Sequence, residues 1–171
     1  MTTTTTATWL QPSPFGHLSI TTTRVGVHRV LFGGDPAESG SPDAGVAEAF
    51  DAYFSGDTSA LDSLPVDLGG RTEFSRAVLT ALRAIGPSRL TSYGELAGAI
   101  GRPAAARAVG RAVGANPVPI LIACHRVLAA GGCLGGYSGG LDTKRWLLAH
   151  EGWLAQPTGV GSGSRTDSLR R

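Results

Sequence analysis

The fold is decided by residues 91–127, which read TSYGELAGAIGRPAAARAVGRAVGANPVPILIACHRV. Ser92 and Glu95 have the three-residue spacing of a capping box, which predicts a short helix from there to about Ile100. After the Gly-Arg-Pro turn at 101–103, the alanine-rich segment 104–113 predicts a second helix. Two short helices joined by a tight turn are typical of a helix-turn-helix.

The end of this stretch carries the chemistry. Residues 120–123 form an apolar run that is typical of a buried strand, and Cys124, His125 and Arg126 follow it directly. An imidazole and a guanidinium beside a thiol lower the pKa of the thiol and favour the nucleophilic thiolate; the alternative is an inert buried cysteine. Neighbours on a strand point to opposite faces, so Cys124 and His125 share a pocket only if the strand ends there or a water bridges them.

A carboxylate that orients the imidazole would complete this site. We expect it to be Glu151, at the end of a helix around residues 146–151, although a plain surface glutamate would have the same sequence signal. In the chain between Arg126 and Glu151, the glycine-rich segment 131–140 predicts a loop that approaches a flat ligand, or alternatively a simple hairpin loop. The two cysteines and four histidines lack the spacing of a zinc site, so no metal or other cofactor is predicted.

Charge is distributed unevenly along the chain. Residues 1–70 hold eight acidic residues against two arginines, whereas residues 71–126 hold eight arginines against two glutamates. The second segment favours a phosphate-rich partner, unless the arginines only reflect a GC-rich genome. Within it, Arg107 and Arg111 share one face of a predicted helix whose small residues, Ala108 among them, permit close approach to DNA or to another helix.

The region before residue 70 predicts a small α+β unit. Residues 18–23 and 25–32 are rich in β-branched side chains and predict paired strands, and residues 46–54 have apolar side chains at helical spacing. A composition change near residues 65–70 predicts a linker. We therefore expect an N-terminal lobe at 9–66, a mainly helical lobe at 67–155 and a flexible tail at 156–171, with residues 2–8 as a disordered or weakly extended leader.

Length and composition exclude several classes of protein. The chain has 171 residues, which suits one compact domain or two small lobes. Its apolar runs are shorter than the roughly 18 residues that a membrane span needs, and the start MTTTTTATW lacks the regions of a signal peptide. Two cysteines do not make a disulfide scaffold, so we expect a cytoplasmic protein with reduced thiols. We also expect it to be a monomer without membrane contact.

Five segments together resemble the O6-alkylguanine-DNA alkyltransferases, which repair alkylated guanine directly. The segments are TSYGELA at 91–97, AARAVG at 105–110, NPVPILIACHRV at 116–127, GYSGGL at 136–141 and WLLAHEG at 146–152. The resemblance is strong over residues 72–152 and weak before residue 70. It implies a small RNase H-like N-terminal lobe and a mainly helical C-terminal lobe that bears a helix-turn-helix and the active cysteine.

The resemblance also implies a role for individual residues. Cys124 would attack the alkyl carbon of O6-alkylguanine in double-stranded DNA, His125 would act as a base through a water, and Glu151 would orient His125. The reaction would be irreversible, with one turnover per molecule. Tyr93 would contact a phosphate and the guanine ring, and Asn116 would brace the turn between the helix and the active-site strand. The residues expected to contact DNA are Arg107, Ala108, Arg111 and Arg126. Those expected to line the pocket are Pro119, Tyr137 and Ser138.

Two alternative functions are also considered. An alkyltransferase-like protein would bind the lesion without repairing it, but such proteins lack the cysteine that is present here at position 124. A hydrolase with a Cys-His-Glu site would turn over repeatedly and would not need Arg107. Ala123 also departs from the family, in which a proline usually precedes the cysteine, and this predicts a looser pocket wall.

Overall fold

A computed structural model of the protein describes residues 5–35 and 40–154. The chain divides into two compact units: unit 1 contains the residues up to Arg76 together with Asn116–Ile122, and unit 2 contains Ala77–Ala115 and the residues from Ala123 onward. The division differs from the predicted boundary at residue 66, because residues 67–76 and a later segment also belong to unit 1. The predicted tail at 156–171 lies outside the described residues.

Unit 1 is built on a three-stranded antiparallel sheet in the order β1-β2-β3. The strands are β1 (Thr5–Ser13), β2 (Gly16–Thr23) and β3 (Val27–Phe32), with Trp9 opposite Ile20 and Ile20 opposite Val30. These three side chains are buried, so they form the apolar face of the sheet. Helix α1 (Ala44–Phe54) contributes further buried apolar side chains to the unit 1 core.

Gly26 sits at a point where the backbone of unit 1 allows no side chain. It has φ of 155°, and a Cβ atom there would lie 2.3 Å from the carbonyl oxygen of Pro65. The next residue, Val27, donates its N–H to that carbonyl and accepts from the N–H of Asp67. Two backbone hydrogen bonds therefore attach the start of the segment predicted as a linker, at Pro65 and Asp67, to the edge of the sheet.

Unit 2 is mainly helical. Helix α2 (Glu73–Arg83) crosses the boundary between the units, and α3 (Tyr93–Ala99), α4 (Ala106–Gly114) and α5 (Leu141–His150) follow it within unit 2. Short strands β4 (Thr91–Ser92) and β5 (Val127–Leu128) pair in parallel. None of the helices in residues 5–35 and 40–154 is long and apolar enough to span a bilayer.

The predicted capping box at the start of α3 is confirmed. The hydroxyl of Ser92 accepts from the N–H of Glu95, and the Glu95 carboxylate accepts from the N–H of Ser92. The two reciprocal bonds satisfy amides that the first helical turn leaves open. The strands at 18–23 and 25–32 and the helices at 46–54 and 104–113 are also confirmed to within a few residues.

Two predictions were wrong, one of them only in part. Residues 120–123 are buried as expected but do not form a strand, because Pro117 and Pro119 lack the N–H groups that a strand interior uses and the N–H of Ile122 turns back to the carbonyl of Val118. The second, a disordered or weakly extended leader at residues 2–8, is only partly wrong. Residues 2–4 lie outside the described residues, and from Thr5 the chain is extended but pairs with β2 in an antiparallel ladder with one irregularity between Thr5 and Ala7, a pairing that the threonine-rich composition did not reveal.

Candidate active site

Cys124 opens a turn of 3-10 helix, Cys124–Arg126, and the side chain is only 6% exposed. Consecutive residues of such a turn do not project to opposite faces as they do in a strand, which removes the geometric obstacle to a shared pocket for Cys124 and His125. Ala123, before the turn, has φ of −75°, a value that the ring of proline also imposes. The φ angle of Ala123 is therefore one that a proline could also adopt.

His125, Arg126 and Glu151 form one buried network in unit 2. The Nε2 atom of His125 lies 2.9 Å from Oε1 of Glu151, and Nε and Nη2 of Arg126 donate to Oε2 and Oε1 of the same carboxylate, each at 2.8 Å. Arg126 also donates from Nη1 to the backbone carbonyl of Ile85. A bidentate guanidinium and an imidazole together fix the orientation of the carboxylate.

The electrostatics of this network determine which nitrogen of His125 carries the proton. Burial opposes protonation of the ring and lowers the pKa of His125 despite the attraction of Glu151, whereas bonds from Arg126 and His125 lower the pKa of Glu151 to about 2 although its burial acts in the opposite direction. At neutral pH Glu151 is therefore an ionised acceptor and His125 is neutral. Nε2 must donate to Glu151, so Nδ1 carries the lone pair of a base.

Nδ1 of His125 is buried and has no hydrogen-bond partner among the described residues. A buried acceptor without a partner costs free energy, and it is most simply satisfied by a water molecule or a ligand. The network thus presents a basic nitrogen on the residue next to Cys124.

A cavity of about 310 Å³ contacts the cysteine. Its volume lies at the lower end of the roughly 300–1,000 Å³ found for small-molecule sites. All of its lining residues belong to unit 2, and they are Tyr93, Gly110, Val113, Gly114, Cys124, Gly136, Tyr137 and Ser138. The glycine-rich loop and helix α4 thus both contribute walls to the space in front of the sulfur.

Two tyrosines give the cavity aromatic walls. Burial, together with the negative charge of Cys124, raises the pKa of Tyr93, so its phenol stays protonated and can donate a hydrogen bond. The ring of Tyr137 stands edge-on to the ring of His125, with centroids 6.4 Å apart and an interplanar angle of 87°. The cavity therefore combines flat apolar surface, a phenol donor and a thiol.

Helix α4 has two different faces. Arg107 and Arg111 are exposed and Ala108 is half-buried, while Val109 and Val113 are buried, and Val113 also lines the cavity. The spacing that placed both arginines on one face in the sequence thus places them on the solvent side of the helix that borders the cavity.

Arg126 does not join this surface. Its side chain is only 5% exposed, and each of its three guanidinium nitrogens donates a hydrogen bond, two of them to Glu151 and one to the carbonyl of Ile85. The predicted DNA contact from Arg126 is therefore corrected: a buried arginine that holds Glu151 cannot also reach a phosphate. Sequence position alone could not distinguish it from the exposed arginines of the same basic segment.

Asn116 and Pro119 belong to unit 1. The side chain of Asn116 donates to the carbonyl of Ile122 at 2.8 Å and accepts from the N–H of Val118 at 3.1 Å, so it bridges both ends of the irregular segment that precedes Cys124. Pro119 is buried and forms an isolated bridge with Ile122, and the residues that line the cavity do not include it.

One buried charge of unit 2 was missed at the sequence level. Lys144 on α5 is 0% exposed and donates to two backbone carbonyls. The sequence did single this residue out in one respect, because Lys144 is the only lysine in the sequence.

Within residues 5–35 and 40–154, no group of three or more His, Cys, Asp or Glu side chains is arranged to hold a metal ion.

Comparison with known proteins gives a consistent result. The family described as "6-O-methylguanine DNA methyltransferase, DNA binding domain" matches residues 73–153. A Salmonella typhimurium relative named methylated-DNA--protein-cysteine methyltransferase is 49% identical over 110 residues, which cover 64% of each chain. A Homo sapiens relative of the same name is 38% identical over 173 residues, covering 89% of this chain and 83% of its own.

The structural comparison extends the likeness to both units. The crystal structure of Mycobacterium tuberculosis OGT in complex with DNA matches with a TM-score of 0.73 and 35% identity, covering 85% of this chain and 92% of that chain. The match to the Salmonella relative, by contrast, spans only 64% of that relative's length. The mixed α/β fold, with its small sheet and helices, is therefore that of the solved structures.

Proposed function

The chain belongs to the methylated-DNA–protein-cysteine methyltransferase family, and we propose that it repairs DNA by moving the alkyl group of O6-alkylguanine irreversibly onto Cys124. The observation that carries the proposal is a cavity that contacts Cys124, beside a neutral His125 whose Nε2 is held by Glu151. Each protein molecule acts once, because the product is a stable thioether and nothing in the mechanism removes it.

The chemical step is a displacement at an alkyl carbon. The proton of the Cys124 thiol passes through a water to Nδ1 of His125, and the resulting thiolate forms a sulfur–carbon bond as the bond from that carbon to O6 of guanine breaks. The electron pair of the broken bond goes to the guanine. Tyr93 donates a hydrogen bond to the guanine ring as negative charge develops there; its raised pKa supports this role because it keeps the phenol protonated.

A guanine inside a duplex is out of reach of a buried sulfur, so the damaged nucleotide must be flipped out of the stack. Flipping costs a few kcal/mol, and a mispaired alkylguanine lowers that cost. In the proposed complex, α3 and α4 act as a helix-turn-helix, with Arg111 and the half-buried Ala108 lying against the DNA. Arg107 fills the gap left by the flipped base, a role that its exposure on α4 supports.

The finer features of the family complete the proposal. We assign an RNase H-like fold to unit 1, a pocket wall to Tyr137 and Ser138, and a bracing role to Asn116. The expected pocket wall from Pro119 is not proposed, because Pro119 does not line the cavity. The protein is proposed to act as a cytoplasmic monomer on double-stranded DNA without a cofactor. Arg126 is proposed to position Glu151, consistent with its bidentate bond to that carboxylate.

The test is to mix the protein with a DNA duplex that contains one O6-methylguanine and to weigh the intact protein. We expect a mass gain of one methylene on Cys124 and a limit of one repaired lesion per protein molecule. Tight binding of the lesion with no change in mass would instead identify a non-enzymatic lesion-binding protein. Repeated turnover without a lasting adduct would identify the Cys-His-Glu hydrolase.

A further inference from the structure

Lys144 is a buried charge that the proposed reaction does not yet use. The chain has 14 arginines but only this one lysine, and the lysine is 0% exposed in the middle of α5. Removing an ammonium from water is costly unless its donors are satisfied. No ion pair to a carboxylate involves Lys144 within the described part of the chain. Its burial therefore needs another explanation.

The hydrogen bonds of Lys144 connect two segments of unit 2 that border the active cysteine. Its Nζ atom donates to the carbonyl of Val127 at 2.7 Å and to the carbonyl of Leu134. Val127 follows the 3-10 turn that contains Cys124, and Leu134 precedes the part of the glycine-rich loop that lines the cavity. A single ammonium thus links the backbone after the nucleophile to the loop that encloses it.

We propose that Lys144 is a positioning residue, which fixes the glycine-rich loop as a wall of the cavity and places a positive charge near the sulfur of Cys124. A lysine suits this place better than an arginine because its compact ammonium directs donors to carbonyls on different segments, whereas a planar guanidinium matches paired oxygens in one plane. The inference rests on the proposed alkyl transfer, since it concerns the same nucleophile and the same cavity.

The electrostatics agree with this geometry. Burial lowers the pKa of Lys144 to about 8, while the negative charge of Cys124 acts in the opposite direction. Interaction between two charges is reciprocal, so the ammonium favours the thiolate by the same amount. Lys144 also disfavours protonation of His125. The nearby charges of Arg126 and Glu151 are paired with each other.

A pH dependence follows from a lysine that ionises near pH 8. Below that pH the ammonium is present, the loop is held and the thiolate is favoured. Above it Lys144 becomes neutral, so reactions that need the cavity wall in place slow down even though the thiolate itself becomes more abundant. Tyr93 does not produce this loss, because its pKa is raised from the usual value of 10.

The experiment compares Lys144→Met with Arg145→Met in a Cys133→Ser background, so that intact mass reports only Cys124. Arg145 is the next residue on α5, and it is 45% exposed and paired with Asp142 at the surface. Free O6-benzylguanine probes the cavity, and iodoacetamide, a small reagent, probes the thiolate. Circular dichroism and urea unfolding report whether each variant is folded.

We expect benzyl transfer to fall roughly tenfold or more in Lys144→Met, which corresponds to a loss of about 1.4 kcal/mol of transition-state stabilisation, and to remain unchanged in Arg145→Met. The ratio of benzyl transfer to iodoacetamide reaction in the unmutated protein should also fall as pH rises through 8, and Lys144→Met should lack that fall. Equal benzyl rates in both variants with the same pH profile would overturn the inference.

If Lys144→Met does not fold, the pH ratio in the unmutated protein decides alone, and a constant ratio from pH 7 to pH 9.5 would overturn the inference. Failure of the proposed function itself would give another result: the unmutated protein would react with iodoacetamide at Cys124 but would gain no benzyl group at any pH.

Discussion

Replacing Glu151 by glutamine tests the buried network with the smallest change of shape. The Glu151 side chain is 0% exposed and its two oxygens receive both donors of Arg126 and the Nε2 proton of His125. A glutamine amide keeps one acceptor oxygen and presents N–H donors where the second oxygen stood. Arg126 then keeps its charge in a buried place without the carboxylate that balances it.

The magnitude can be derived in two ways. The pKa of Glu151 falls from 4.5 to about 2, and at about 1.4 kcal/mol per pKa unit this corresponds to about 3 kcal/mol of stability at neutral pH. Breaking one partner of a buried ion pair costs about 3–5 kcal/mol in other proteins. Both routes predict that Glu151→Gln lowers the free energy of unfolding by about 3 kcal/mol at pH 7.

The assay is urea unfolding of the unmutated protein, Glu151→Gln, Arg126→Met and the double variant. We expect the double variant to lose less unfolding free energy than the two single variants lose when their losses are added together, because it leaves neither charge unpaired. A loss below about 1 kcal/mol for Glu151→Gln, the range of an exposed pair, would refute the reasoning. Strict additivity of the two changes would refute it as well.

The same unfolding curves have a predicted pH dependence. Glu151 has a folded pKa below its unfolded value, so its stabilisation is complete above pH 4.5 and is lost as pH falls towards 2. His125 also has a lowered pKa, and below its usual pKa of 6.5 the unfolded chain gains a proton that the folded protein does not take up. Stability should therefore decrease from pH 6.5 downward, and Glu151→Gln should remove the part of the loss below pH 4.5.

Three further substitutions separate the proposed roles. Arg107→Ala should slow repair of a lesion in duplex DNA much more than transfer from free O6-benzylguanine, because an exposed side chain on α4 acts on DNA and not on the sulfur; equal loss on both substrates would contradict this. Cys124→Ser should abolish the mass gain and keep most of the DNA affinity measured by gel shift, since phosphate contacts dominate affinity. Asn116→Ala should cost about 1–3 kcal/mol in urea unfolding, since it leaves a backbone carbonyl and an N–H without their side-chain partner; a loss within error would show that water replaces it.

Local signals predicted much of the secondary structure. The capping box of Ser92 and Glu95 and the alanine-rich helix 104–113 depend on neighbouring residues, so the sequence contained what was needed. Strand β1 and the irregular segment 116–122 depend on distant partners. The ladder with β2 makes the threonine-rich start a strand, and Asn116 closes a turn where apolar composition alone predicted extended backbone.

In the candidate site, too, residue identities could be predicted from the sequence, whereas contacts between distant residues and the burial of side chains could not. Residue chemistry and the resemblance both indicated Cys124, His125 and Glu151, but the contact between the last two required coordinates, because 26 residues separate them in the chain. Arg126 was assigned to DNA because charge counts do not report burial. Lys144 was overlooked because a single lysine on a predicted helix looks like an ordinary surface residue.

The charges around the nucleophile explain why a histidine next to a carboxylate stays neutral. Arg126 and Lys144 both disfavour a proton on His125, and burial adds to their effect, so the attraction of Glu151 orients the ring without ionising it. When Cys124 is a thiolate, two negative and two positive groups balance in the buried region. A proton on His125 would add an unbalanced positive charge there. His125 is therefore neutral before the reaction, and it holds the proton of the Cys124 thiol only while the alkyl group is transferred.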